Sequence, residues 1–101
     1  MANKGDTLPI LLNYTIDGTP IEEMALDEIE FCLANLTYKL SAGDITLDPE
    51  SGKYCLTLSQ ETTLALDNVT DYQVRFKKGN NVTSTGINLI VLGNSKSKEV
   101  L

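Results

Sequence analysis

Histidine and tryptophan are missing from this chain altogether, cysteine occurs twice, proline three times, and lysine plus arginine number only 8 against 14 acidic residues. Without histidine there is no imidazole to take a proton from a serine or pair with a thiolate, so Ser-His-Asp and Cys-His chemistry are excluded by composition. A conventional zinc site is set aside for the same reason, since only two thiols and no CxxC spacing remain. The deficit of basic residues gives a formal net charge of -6. That charge repels a phosphate backbone, and the longest basic run is only Lys77-Lys78, so nucleic acid is not the expected partner. No apolar run approaches the 18 residues that a membrane helix needs. The stretch Leu8 to Leu12 is too short, and lacks the basic flank, for a signal peptide, so no secretion signal is expected.

What is present suffices for one core. A chain of 101 residues with 42% hydrophobic content fits a single domain, residues 1–101, with polar termini at 1–6 and 94–101, of which the first is expected to fray. Period-two alternation dominates. Ile10, Leu12, Tyr14 and Ile16 share a phase, and Pro9 places that strand at an edge or beside a break. Ile29, Phe31 and Leu33 face in, against Glu28, Glu30 and Cys32. Leu36, Tyr38 and Leu40 continue the pattern, then Ile45 and Leu47. The DPESG turn at residues 48–52 predicts a hairpin to the strand carrying Tyr54, Leu56 and Leu58. The clearest strand is DYQVRFK at 71–77, with Tyr72, Val74 and Phe76 inward, followed by a hairpin turn at Lys78-Gly79-Asn80-Asn81.

From Val82 to Leu92 the chain is extended again, and Gly86 marks a bulge or register break. Ile87, Leu89 and Val91 take one phase there, Ile90 and Leu92 the other. Helical content is confined to a weak turn over residues 21–27 and a single turn capped by Ser59. About seven short strands with turns every eight to twelve residues predict an all-β, immunoglobulin-like antiparallel sandwich, with a small closed barrel as the competitor.

Each candidate site has a plainer reading beside it. Glu22, Glu23, Asp27, Glu28 and Glu30 form an acidic cluster that is read as a solvated face; Asp44, Asp48 and Glu50 lack the calcium-loop spacing. Cys32 and Cys55 are read as packed thiols, with one disulfide or a reactive thiol as alternatives. Ser59, Thr62 and Thr63 have no histidine partner. The sequons at Asn13, Asn35, Asn68 and Asn81 are read as chance, and Asn13 falls inside a predicted strand. Tyr14, Tyr38, Tyr54 and Tyr72 offer either an aromatic platform for sugars or core packing with the hydroxyls at the rim; their apolar phase favours the core. Tyr72 is a candidate tyrosine corner one residue out of the usual spacing from Asp67. No catalytic, cofactor-binding or metal-binding residue is assigned, and no cofactor is expected.

The pieces KGDTLPI (4–10), DEIEF (27–31), AGDITLDPESGKYCLTLSQETTLAL (42–66), DYQVRFKKGNNV (71–82) and SKEVL (97–101) together resemble small immunoglobulin-like tail and baseplate proteins of phages and prophages of Gram-positive bacteria. The likeness is to the N-terminal domain of baseplate upper proteins and covers nearly the whole chain. It implies a non-enzymatic virion structural protein engaged in protein-protein interaction and host attachment, with other tail or baseplate proteins as partners and a homo-oligomer possible. It further implies assembly in the host bacterial cytoplasm before incorporation in the virion tail. No coiled-coil or fibre region follows the last strand, which suggests a detached adaptor or a prophage remnant. For the tail-protein reading, an exposed strand edge near Pro9 or Gly86, or Val100 and Leu101 of the tail, is the expected contact; a carbohydrate-binding module at a bacterial surface is the alternative.

Overall fold

The computed structural model describes residues 2–97 and 99–101. Its strands are β1 (Leu8–Leu12), β2 (Thr15–Ile16), β3 (Thr19–Pro20), β4 (Glu28–Leu33), β5 (Leu36–Lys39), β6 (Thr46–Leu47), β7 (Tyr54–Leu58), β8 (Val69–Lys78), β9 (Asn81–Ser84) and β10 (Asn88–Val91), with one α-helix, α1 (Gln60–Ala65), and a 3-10 turn at Ile21–Glu23. The architecture is all-β and antiparallel. One sheet has the order β1-β7-β6, a second the order β10-β8-β4-β5 with β9 also on β8, and β2-β3 forms a small ribbon. Neither larger sheet closes on itself, so both keep free edges.

The count of ten against the expected seven has local causes. The first expected strand is split after Leu12, so Asn13 lies in the break and not in a strand. Asp17, with φ of 50°, and Gly18, at 82°, form the two-residue turn that folds β2 onto β3, the positive-φ pair of a type I′ hairpin. The last expected strand is split into β9 and β10 by residues 85–87. The DPESG hairpin joins β6 to β7 in the register Leu47↔Tyr54. The helix forms where expected, with Ser59 Oγ accepting from the Thr62 amide at 3.2 Å.

A single hydrophobic cluster takes residues from both larger sheets: Leu12, Leu56 and Leu58 from one, Ile29, Phe31, Leu33, Val74 and Phe76 from the other. Ile21 and Ile45, from the connections, are also fully buried in it. The expected inward phases of β4, β7 and β8 are all realised.

The N-terminal segment is docked rather than frayed, which corrects the expectation for residues 2–6. Thr63, fully buried on α1, accepts from the Gly5 amide at 2.9 Å and donates to the Asp6 carbonyl at 2.8 Å. Gly5 holds φ of 86°, and a Cβ there would meet Leu64 Cδ2 at 3.2 Å. Asn3 pairs in parallel with Gly93. Met1 and Lys98, which belong to the two termini expected to be polar, and to the SKEVL piece in the case of Lys98, lie outside the described residues.

Candidate functional site

The acidic cluster does not converge. Glu22 accepts from Lys53 Nζ at 3.1 Å, with its second oxygen buried and unpartnered among the described residues. Asp27 caps the β8–β9 turn through the Gly79 amide at 2.6 Å. Glu28 holds the Ser41 hydroxyl and amide. Glu30 accepts from Arg75 Nε at 2.9 Å and lies 3.8 Å from Lys39 Nζ, its neighbours on β8 and β5. The Cys32 thiol donates to the same carboxylate at 3.1 Å. That thiol and, beyond the opposing effect of burial, Arg75 hold the Glu30 carboxyl below the usual range. For Glu28, burial works upward, but hydrogen bonds from Ser41 and the Ile29 amide outweigh it and the carboxyl stays low. Exposed ion pairs of this kind contribute little each, and they tie strands rather than form a reaction centre. Asp48 is occupied by the turn itself, accepting from the Ser51 hydroxyl at 2.7 Å, and Asp44 accepts from the Lys39 amide. Among the described residues no three His, Cys, Asp or Glu side chains are placed to share a metal ion.

The two cysteines are free and stand on different sheets, each half-buried on the outward phase of its strand. An internal disulfide is therefore ruled out by placement. Burial, then the neighbouring Glu30, pushes the Cys32 thiol up, which opposes thiolate formation.

The tyrosines serve the core. Tyr54 is buried, and Tyr14, Tyr38 and Tyr72 pack against the cluster half-buried. Phe31 stacks on Tyr72 with centroids 5.1 Å apart and meets Tyr38 edge-on at 6.4 Å. Burial first, and then the adjoining Tyr72 hydroxyl, push the Tyr14 phenol up to about 12. The corner that Tyr72 was expected to close is bridged by Thr70, whose Oγ1 donates to the Asp67 carbonyl at 3.2 Å.

The sheet edges are unequal. β1 carries Pro9, which has no amide to offer; β5 ends in Lys39; β6 is two residues long. Proline, charge and shortness are the ordinary devices that keep an edge from pairing. The remaining edge, β9–β10, has neither proline nor charge and is interrupted only by a bulge: residues 79–95 contain no charged side chain. Its bulge sits where Gly86 marked it, because three residues, 85–87, stand opposite Gln73 and Val74. Thr85 does the bonding there, its amide donating to the Val74 carbonyl at 2.9 Å and its hydroxyl accepting from the Val74 amide at 3.1 Å.

The extra residue flips the phase, so that Ile90 turns toward the core while Ile87, Leu89 and Val91 are 70%, 63% and 50% exposed. Val69, opposite Val91 on β8, is 53% exposed on the same face. Sequence pattern separated these two phases but did not say which one faces water. Ladder alternation also orients the backbone. The Leu92 amide donates inward to the Asn68 carbonyl at 2.7 Å, so the odd-numbered groups point away. At Gly93 that outward side is filled by the chain itself, with the Gly93 amide on the Ala2 carbonyl at 3.0 Å and the Lys4 amide on the Gly93 carbonyl at 2.9 Å. At Ile87, Leu89 and Val91 it is open among the described residues. Asn68 pins this end, donating to the Leu92 carbonyl at 2.8 Å and to Asn94 Oδ1 at 2.9 Å. Val100 and Leu101 are exposed, and the Leu101 amide reaches the Gln60 side chain at 2.7 Å.

No family model, curated protein or solved structure matches this chain.

Proposed function

We propose that this chain is a non-enzymatic assembly module of a phage or prophage tail or baseplate, built on an immunoglobulin-like sandwich and docking through the β9–β10 edge. The strand pairing supports the frame. With β1, β7 and β6 taken as strands B, E and D, and β5, β4, β8 and β10 as C′, C, F and G, the order is that of an immunoglobulin-like sandwich without its first strand. The tail or baseplate setting rests on the sequence resemblance across nearly the whole chain, with assembly in the host cytoplasm and residence in the virion as its corollary. The observation that carries the docking mode is the open edge at Ile87, Leu89 and Val91, uncharged, largely exposed and flanked by Val69. An unprotected strand edge with apolar side chains is a template for strand addition.

Size-exclusion chromatography with light scattering tests the reading, on the chain alone and mixed with the products of the genes on either side of its own. A defined complex is expected, and Leu89→Lys should weaken it by at least tenfold while the circular dichroism spectrum stays unchanged. A complex indifferent to Leu89→Lys sinks the docking mode. Absence of any complex, together with specific binding on a glycan array, replaces the reading with a carbohydrate-binding one.

A further inference from the structure

Resting on that reading, we propose that the segment docking on β10 is a short extended strand of a partner protein with apolar side chains at alternate positions and a lysine or arginine among them, its cation seated over Asp71 and Asp67. Asp71 lies directly opposite Leu89 on the outer face of the sheet. It is shared by two grooves, one of about 160 Å³ shaped with Ile87 and one of about 530 Å³ shaped with Leu89, Val69 and Asp67. Neither groove has a basic lining residue, and neither aspartate forms an ion pair among the described residues.

A strand added beside β10 stands two strand spacings from β8, roughly 10 Å, within the combined reach of a lysine and an aspartate across Leu89. The same geometry disfavours a second copy of β10 as the occupant, because residues 79–95 bring no cation to Asp71. Size is also set: Ala2 and Lys4 already occupy Gly93, so the edge left open by the described residues spans about five residues. That self-pairing shows the edge accepts an extended segment in the parallel sense, and a segment fused ahead of the chain is carried back along β10 toward Ile87.

The test uses this delivery. The strand TVTKTVT, or its Glu or Gln counterpart at the central position, is fused ahead of the full chain through a Gly-Ser linker, which makes docking intramolecular at millimolar effective concentration. Amide hydrogen exchange at Ile87, Leu89 and Val91 is then measured by NMR at low and high salt. The Lys fusion should protect these amides on the order of fivefold more than the Glu fusion, with the Gln fusion between them. The difference should shrink at high salt and vanish in Asp71→Asn with Asp67→Asn; the salt series on the unmutated chain stands even if that variant folds poorly. Equal protection by all three fusions overturns the basic partner while leaving edge docking intact. No protection by any fusion overturns edge docking itself. Concentration-dependent dimerisation of the unfused chain that protects the same amides overturns the proposal in favour of a second copy.

Discussion

Two single residues set local behaviour that their residue types alone do not announce. Thr63 has no partner in any catalytic pattern, yet its buried hydroxyl is the staple between α1 and the N-terminal segment. Thr63→Val keeps the volume and removes both bonds, so denaturant unfolding should show a loss of about 1–3 kcal/mol, with faster exchange of the Gly5 amide as the local sign. Tyr14 gives a pH dependence. Its folded pKa, about 12 against an ordinary 10.0, means that the folded state holds the proton more tightly than the unfolded one. The associated stability is complete below pH 10 and falls as pH rises from 10 toward 12. Tyr14→Phe should flatten the stability curve over that window, as read from denaturant midpoints at stepped pH.

At the scale of elements, the bulge between β9 and β10 separates what pattern reading sees from what bonding requires. Glycine drew the eye to position 86, and the break is there. Gly86, however, has no positive φ, and nothing lies within 4 Å of the Cβ it lacks. The adjacent Thr85 satisfies the amide of fully buried Val74. Gly86→Ala should therefore be neutral or stabilising by a few tenths of a kcal/mol, whereas Thr85→Val leaves a buried amide unpaired and should cost about 1–3 kcal/mol. Parallel thermal melts of the two variants check the contrast. Strands β4, β7 and β8 were legible because each alternates cleanly over five or more residues. The N-terminal segment was not, because its order comes from Thr63 and Gly93, far away in sequence.

For the molecule as a whole, one shared cluster makes the two larger sheets a single cooperative unit. Phe31, fully buried and in aromatic contact with both Tyr38 and Tyr72, belongs to the inner face of one sheet, but its removal should be felt in both. Phe31→Ala is expected to cost about 3–5 kcal/mol, a large part of a small domain's stability. Exchange of β7 and β8 amides should accelerate together; acceleration confined to β8 would mean that the sheets unfold independently. The open edge at Ile87, Leu89 and Val91 is likewise a property of the whole, since it exists because β10 ends the strand order β10-β8-β4-β5.

The sequence by itself determined the all-β class, the inward phases of the main strands, the Ser59 cap, the position of the bulge and the absence of any imidazole chemistry. These depend on neighbours within a few residues, where side-chain period, turn stereochemistry and composition act directly. Only the tertiary structure decided which phase after Gly86 faces water, that Cys32 and Cys55 stand on separate sheets, that Glu22, Asp27, Glu28 and Glu30 find separate partners, and that Asp71 meets Leu89. Those outcomes depend on strand order and register, which are fixed by burying one core from both sheets and by pairing backbone groups tens of residues apart.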